Sequence, residues 1–268
     1  MLDATLWLVI VCLMLGSGIG LLAGLLGIGG GLLIVPVLYM LLPGVGLSPS
    51  LTMPMAIGTS LASIIVTSSS SAFLHYQLGN IQLSAIKTLL PGILVGGFMG
   101  SCIADQFLAE YLPRVFGVIV LLLALQMILP LRIRVVRSFP SVFKNIMNGG
   151  IIGVVSSLIG ISGGALTVPY LNYYGVEMRK AIGTSSLCGV FLSVSGMTGF
   201  VIFGLSKAEI LPDYSVGYVY LPALFSIVST SVLTTKYGAR LALRLPTPII
   251  KRVFAVFLFL MGVMMFLS

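Results

Sequence analysis

Between Asp3 and Lys87 the chain carries no Asp, Glu, Lys or Arg, an uncharged run of 83 residues. No soluble core is thick enough to take in such a run, because soluble domains place charge on about a quarter of their residues to face water. Over all 268 residues the apolar share is 58% and the charged share 7%. Further charge-free stretches cover 115–131, 145–176, 181–206 and 253–268. Most are long enough, at about 1.5 Å per helical residue, to cross about 30 Å of hydrocarbon. A transmembrane barrel would need polar and apolar residues alternating over about ten positions, whereas residues 118–125 read VIVLLLAL. The chain therefore reads as an all-α polytopic membrane protein whose first partner is the lipid bilayer. Its net charge of +8 sits in short loops beside apolar spans, which speaks for topology rather than nucleic-acid binding. Cys12, Cys102 and Cys188 are odd in number, far apart and set in apolar segments, with no CxxC and no clustered His. Neither a disulfide frame nor a metal or other cofactor is expected. The N-terminal apolar run lacks a basic leader and passes at once into more membrane sequence, so it reads as a retained helix.

Residues 25–38 (LLGIGGGLLIVPVL) align without gaps with 158–171 (LIGISGGALTVPYL), nine identities in fourteen positions. The match recurs in order at Ala56-Ile57-Gly58-Thr59-Ser60 against Ala181-Ile182-Gly183-Thr184-Ser185, and at Arg114-Val115-Phe116 against Arg252-Val253-Phe254. The chain divides into an N-terminal transmembrane repeat over 1–131, a basic cytoplasmic linker over 132–145 and a C-terminal repeat over 146–268. Two copies of about 130 residues are too few and too long for a solenoid. Duplicated apolar halves broken by Gly and Pro at matching places are a mark of secondary transporters.

Loop charge sets the direction of each copy. The linker carrying Arg132, Arg134, Arg137 and Lys144 has no acid and is assigned to the cytoplasm, as are the Arg179-Lys180 turn and the loop holding Lys236, Arg240, Arg244, Lys251 and Arg252. Glu209 and Asp213 accompany only Lys207 on the other side. This places spans near 181–204, 216–235 and 249–267, preceded by a hairpin of segments 146–161 and 164–175. In the first copy the loop with Asp105, Glu110 and Arg114 is net negative and so external, opposite to its counterpart. The expectation is two inverted-topology repeats of about five helical segments each, with a Gly-rich broken hairpin at the start of each and both termini outside.

The strongest local signal is the paired tip, Gly27-Ile28-Gly29-Gly30-Gly31 and Gly160-Ile161-Ser162-Gly163-Gly164, each followed within five residues by Val-Pro. Glycine costs roughly 1 kcal/mol against alanine inside a helix, so such clusters argue for unwound turns where backbone must come close to something. A helix restarting at Gly30 or Gly163, with Pro36 or Pro169 near its first turn, would aim free N–H groups and its positive dipole end at the tip, and such an end attracts anions. The alternative is that the glycines only let helices pack closely. That reading suits the spaced rows Gly16, Gly20, Gly24 and Gly92, Gly96, Gly100, which follow GxxxG spacing and would equally serve a homodimer through Gly-rich helix faces. Thr59, Ser60, Thr184 and Ser185 offer neutral donors to an oxyanion, or bond their own helices. His75, the sole histidine, closes a polar-rich helix, either as a proton relay or as a cationic cap of a helix end. Asp105, Glu110, Glu177, Glu209 and Asp213 fall in predicted loops, so no carboxylate stands mid-span where proton pumps hold one. An intramembrane serine protease would draw on Gly160-Ile161-Ser162-Gly163, but needs a histidine base in reach, and the position matching Ser162 is Gly29. An anion channel would share the same pore as a carrier.

At these tips the sequence resembles the TauE/SafE family of sulfite exporters. The likeness rests on GIGGGLLIVPVL with AIGTSL in the first half and GISGGALTVPYL with AIGTSS in the second, joined by a basic linker and closed by KRVF. The resemblance implies a non-enzymatic carrier of the bacterial or archaeal inner membrane that moves small sulfur-containing anions such as sulfite, sulfoacetate or related organosulfonates. Carried onto this chain it points to Gly29, Gly30, Gly31, Thr59 and Ser60, and to Ser162, Gly163, Gly164, Thr184 and Ser185. Ser162 against Gly29, and Ser186 against Leu61, leave the two half-sites unequal.

Overall fold

A computed structural model describes residues 2–26, 30–106, 111–128, 140–242 and 247–268. Gly29 and residues 132–139 of the linker lie outside them. The first copy contributes α1 (Leu2–Leu26), α2 (Gly31–Leu41), α3 (Pro49–Gln77), α4 (Leu83–Gln106) and α5 (Leu112–Ile128). The second contributes α6 (Val142–Leu158), α7 (Gly164–Tyr173), α8 (Met178–Leu205), α9 (Leu221–Ala242) and α10 (Thr247–Leu267). Proline opens α3 at its first position, where the missing N–H has no partner to lose. The span expected from 216 starts as helix only at Leu221. Residues 215–220 form instead an antiparallel pair, β1 (Ser215–Val216) and β2 (Val219–Tyr220). Gly217 between them has φ 53°, which ends any helix there, and Pro222 then sits in the first turn of α9, where its missing N–H costs no helical bond.

Helix directions follow from which residues touch. Leu61 lies by Gly196, Ser71 by Ser186 and His75 by Gly183, so α3 and its repeat counterpart α8 run antiparallel. Gly117 lies by Phe266 and Leu121 by Gly262, so α5 and its counterpart α10 do the same. By contrast α1 runs parallel to α9, and α4 to α6. Equivalent helices pointing opposite ways place the approximate two-fold between the copies across the helix axes. The hairpin α6–α7 enters from one end, turns in the interior at residues 159–163 and leaves by the same end, and α1 begins and α2 finishes at the opposite end. Lys87, Lys144, Arg179 and Lys180 are exposed at the end where α4, α6 and α8 begin. Asp105, Lys207, Glu209 and Asp213 gather at the other end, where α1 begins and α10 finishes.

The most extensive helix contacts, α1 with α9, α4 with α6, α5 with α10 and α3 with α8, all join one copy to the other. Large apolar side chains such as Trp7, Phe73, Val95, Leu122 and Phe259 face outward, while Thr59, Ser60, Ser63, Thr67, Ser156, Ser157, Thr184 and Ser193 are fully enclosed. Hydrocarbon-facing apolar side chains and hydroxyls inside are what a bilayer solvent selects, since helices there associate by close packing and hydrogen bonds. The spaced glycines do this work within the chain. A Cβ on Gly92 would stand 1.9 Å from Ile146 O, on Gly96 2.2 Å from Gly150 O, and on Gly20 2.2 Å from Ser231 O. The faces that sequence analysis offered to a homodimer are thus occupied by α6 and α9.

Gly96→Ala is therefore expected to lower the melting temperature of the purified protein, because overpacking of such a seam costs about 1–3 kcal/mol. Gly18, with open space around its Cβ direction, tests the contrast: Gly18→Ala should hold or raise the melting temperature, alanine being worth about 0.5–1 kcal/mol in a helix.

Candidate functional site

The two short helices start from the same main-chain turn. Gly30 caps α2 at φ 71°, ψ −13°, and Gly163 caps α7 at φ 70°, ψ −13°. These left-handed values cost a residue with a Cβ about 1–2 kcal/mol. Each cap carbonyl accepts two bonds, Gly30 O from Leu33 N (3.0 Å) and Ile34 N (3.3 Å), and Gly163 O from Leu166 N (3.0 Å) and Thr167 N (2.7 Å). No side chain caps either helix. At α7 this leaves the N–H groups of Gly164 and Ala165 without a partner among the described residues, at the positive end of the dipole. Pro36 and Pro169 are each the sixth residue of their helix, deeper than the first turn expected, and each withholds an N–H from the carbonyl four residues back.

The tips meet. A Cβ on Gly31 would stand 2.4 Å from Gly160 O and 3.1 Å from Ile161 Cα, so main chain touches main chain there. Ser60 Oγ donates to the same Gly160 carbonyl at 2.8 Å. Ser162 is buried, and its carbonyl packs where Gly189 of α8 lacks a side chain. The structure thus brings Gly30, Gly31, Ser60, Ser162, Gly163 and Gly164 into one interior region.

The two AIGTS segments have a matching structural task. A Cβ on Gly58 would stand 2.7 Å from Tyr218 O, and one on Gly183 2.2 Å from Asn80 O. One residue on, Thr59 Oγ1 accepts from Tyr220 N and Thr184 Oγ1 from Gln82 N, both at 2.9 Å. Each Gly-Thr pair therefore docks the connection leading into α9 or α4 of the other copy: glycine admits its carbonyl, and threonine satisfies its N–H. The partnership is reciprocal. Ser185 Oγ donates instead to Ile182 O of its own helix at 2.9 Å.

His75 sits in the last turn of α3, half-buried and packed against Gly183. Its Nδ1 is buried with no partner among the described residues. Ser162 packs against Gly189, six residues further along α8, or about 9 Å at helical rise; the two side chains thus stand at different levels of the fold.

Two groupings went unread in the sequence. Asp105, expected in a loop, belongs to the last turn of α4, and its Oδ1 accepts from Lys207 Nζ at 2.8 Å and from Tyr218 Oη at 2.7 Å. Lys207 Nζ also donates to Tyr218 Oη at 2.7 Å. Burial alone would lower the Lys207 pKa, but the bonds to Asp105 and Tyr218 outweigh it and hold the ammonium above its usual value. The second grouping is Ser156, Ser157, Thr167 and Ser193, whose hydroxyls are buried without a partner among the described residues. The available signal for these was the repeat itself: Ser156, Ser157 and Thr167 replace Ala23, Gly24 and Ile34 of the first copy.

The packed apolar helices and the hydroxyls enclosed among them define an all-α polytopic membrane protein. The profile of the family described as Sulfite exporter TauE/SafE matches residues 12–265, and the chain belongs to that family. It is 40% identical over 261 residues to a probable membrane transporter protein of Haemophilus influenzae, covering 97% of this chain and 98% of that one. A probable membrane transporter protein of Methanocaldococcus jannaschii is 25% identical over 257 residues, covering 95% and 94%. No solved structure matches the chain.

Thr59→Val and Thr184→Val should each destabilise the fold by about 1–3 kcal/mol, the penalty for a buried N–H left without an acceptor. Serine at either position should restore the melting temperature. Valine variants that melt like the wild type would show that the connections find other acceptors.

Proposed function

We propose that this chain is a secondary carrier that moves small sulfur-containing anions, sulfite or organosulfonates among them, across the inner membrane. The observation that carries the reading is the pair of left-handed glycine caps, alike within a degree in φ, that start α2 and α7 in the interior where the two hairpins meet. In hydrocarbon an irregular backbone survives only where protein or a wet cavity satisfies it. Unwound half-helices whose N-termini aim at an anionic group are a recurrent carrier solution. Backbone N–H groups would replace the water of the anion, and Thr59, Ser60, Thr184 and Ser185 hold the surrounding walls. Rocking of one hairpin unit against the other would then expose the tips to each side in turn.

Neutral donors suit transport. A buried Arg would hold an anion tightly and slow its release, whereas dipoles and hydroxyls let it leave. The basic end with Lys144, Arg179 and Lys180 is assigned to the cytoplasm by the positive-inside rule, with both termini outside; an impermeant maleimide reaching a cysteine at position 268 in intact cells would agree.

Counterflow tests the carrier reading. In proteoliposomes loaded with unlabelled sulfoacetate, labelled sulfoacetate outside should accumulate transiently above its equilibrium level. Simple equilibration with no overshoot would favour a channel, and no flux of sulfoacetate or sulfite at all would remove sulfur anions as the cargo.

A further inference from the structure

The two tips share a backbone but not a lining. A Cβ on Gly30 would stand 2.3 Å from Ile19 Cγ2, so an isoleucine methyl fills the concave side of the first turn. The same position on Gly163 has Ser156 Oγ at 3.6 Å and Thr167 Oγ1 at 3.7 Å, with Leu192 Cδ1 at 3.1 Å. Both hydroxyls belong to residues with no exposed surface, and neither has a hydrogen-bond partner among the described residues. Ser193 lies between Gly189 and Gly196 on the α8 face turned to this tip, and its hydroxyl is likewise buried and unpartnered. Natural proteins leave few buried polar atoms unsatisfied, and each one asks for an explanation. Here the orphaned Ser156 and Thr167 hydroxyls flank the Gly163 turn, the residue just before the two free N–H groups of Gly164 and Ala165.

We infer that the tip at Gly163 alone holds the anion, that Ser156 and Thr167 are binding residues beside the N–H groups of Gly164 and Ala165, and that the site takes a singly charged oxyanion. This rests on the carrier reading above. Four neutral donors match the oxygens of a sulfonate or of hydrogensulfite. No cation stands among these groups, and the desolvation penalty of an ion grows as the square of its charge, so a dianion would lose roughly four times as much on entry. Leu192 Cδ1 packs against this turn, 3.1 Å from a Cβ placed on Gly163, so entry of an anion requires that side chain to turn away. The first tip, apolar at Ile19 and Ile34, serves as a wall.

The test is the thermal shift of the purified protein in methanesulfonate, with sulfate as the doubly charged comparison; a ligand that binds the folded state raises its melting temperature. Methanesulfonate should stabilise the wild type and sulfate should not. Ser156→Ala and Thr167→Val should each weaken methanesulfonate at least ten-fold, with Thr167→Ser retaining affinity and Ile34→Val binding as the wild type does. Without ligand, Ser156→Ala and Thr167→Val should melt at or above the wild-type temperature, since each deletes an unpaired buried hydroxyl. Variants that melt lower without ligand, or bind methanesulfonate like the wild type, would overturn the assignment to this tip while leaving the carrier reading in place. Equal stabilisation by sulfate would overturn the charge preference. No shift with methanesulfonate or with sulfite at any pH would remove both the site and the carrier reading.

Discussion

A backbone N–H or C=O left bare in hydrocarbon costs several kcal/mol, and this chain breaks two helices inside its membrane-spanning body. The rest of the structure answers to that constraint. The broken ends are pressed against one another at Gly31 and Gly160, a hydroxyl from Ser60 reaches the exposed Gly160 carbonyl, and α3 and α8 enclose the pair. Only glycine allows the contact, because a Cβ at Gly31 would lie inside the neighbouring carbonyl. The turns are tolerable only as a pair, which ties the two copies into one body.

The same logic governs the connections into α4 and α9. Each arrives at the side of a central helix from the other copy with a carbonyl and an N–H to satisfy. Gly58 with Thr59, and Gly183 with Thr184, receive them in the same way. At the acidic end, Asp105 of α4, Lys207 beyond α8 and Tyr218 of the hairpin close a triangle of bonds that again crosses between copies. A carrier that rocks must break some cross-copy contacts and keep others. On the proposed carrier reading, the dipoles and hydroxyls of the interior would hold an anion without trapping it.

Much of this was legible in the residues. The duplicated GG-to-VP segments and the alternating loop charge gave the order of helices and the hairpins, because glycine, proline and charge act locally. The task of AIGTS was not legible, since the partners of its two copies lie 161 and 102 residues away and nothing in Gly-Thr-Ser distinguishes a docking pair from an anion cradle. Lys207 entered the sequence reading only as a charge in the loop with Glu209 and Asp213; its partner, Asp105 on another helix, was not legible there. The start of α9 moved from 216 to Leu221 because the positive φ at Gly217 depends on how that glycine packs on Val201. Ser156 and Thr167 passed unremarked, for a hydroxyl in a membrane helix ordinarily bonds its own backbone; only the fold shows that these two do not.

The central claim is that an anion is held by unwound main chain and hydroxyls with no ionised side chain. Selenite, a heavier analogue of sulfite, tests it in crystals of the protein through anomalous scattering at the selenium edge. The account predicts one selenium peak within hydrogen-bonding reach of the Gly164 and Ala165 nitrogens and the Ser156 and Thr167 hydroxyl oxygens. A peak beside Lys207 or another cation, with the Gly163 turn empty, would contradict it.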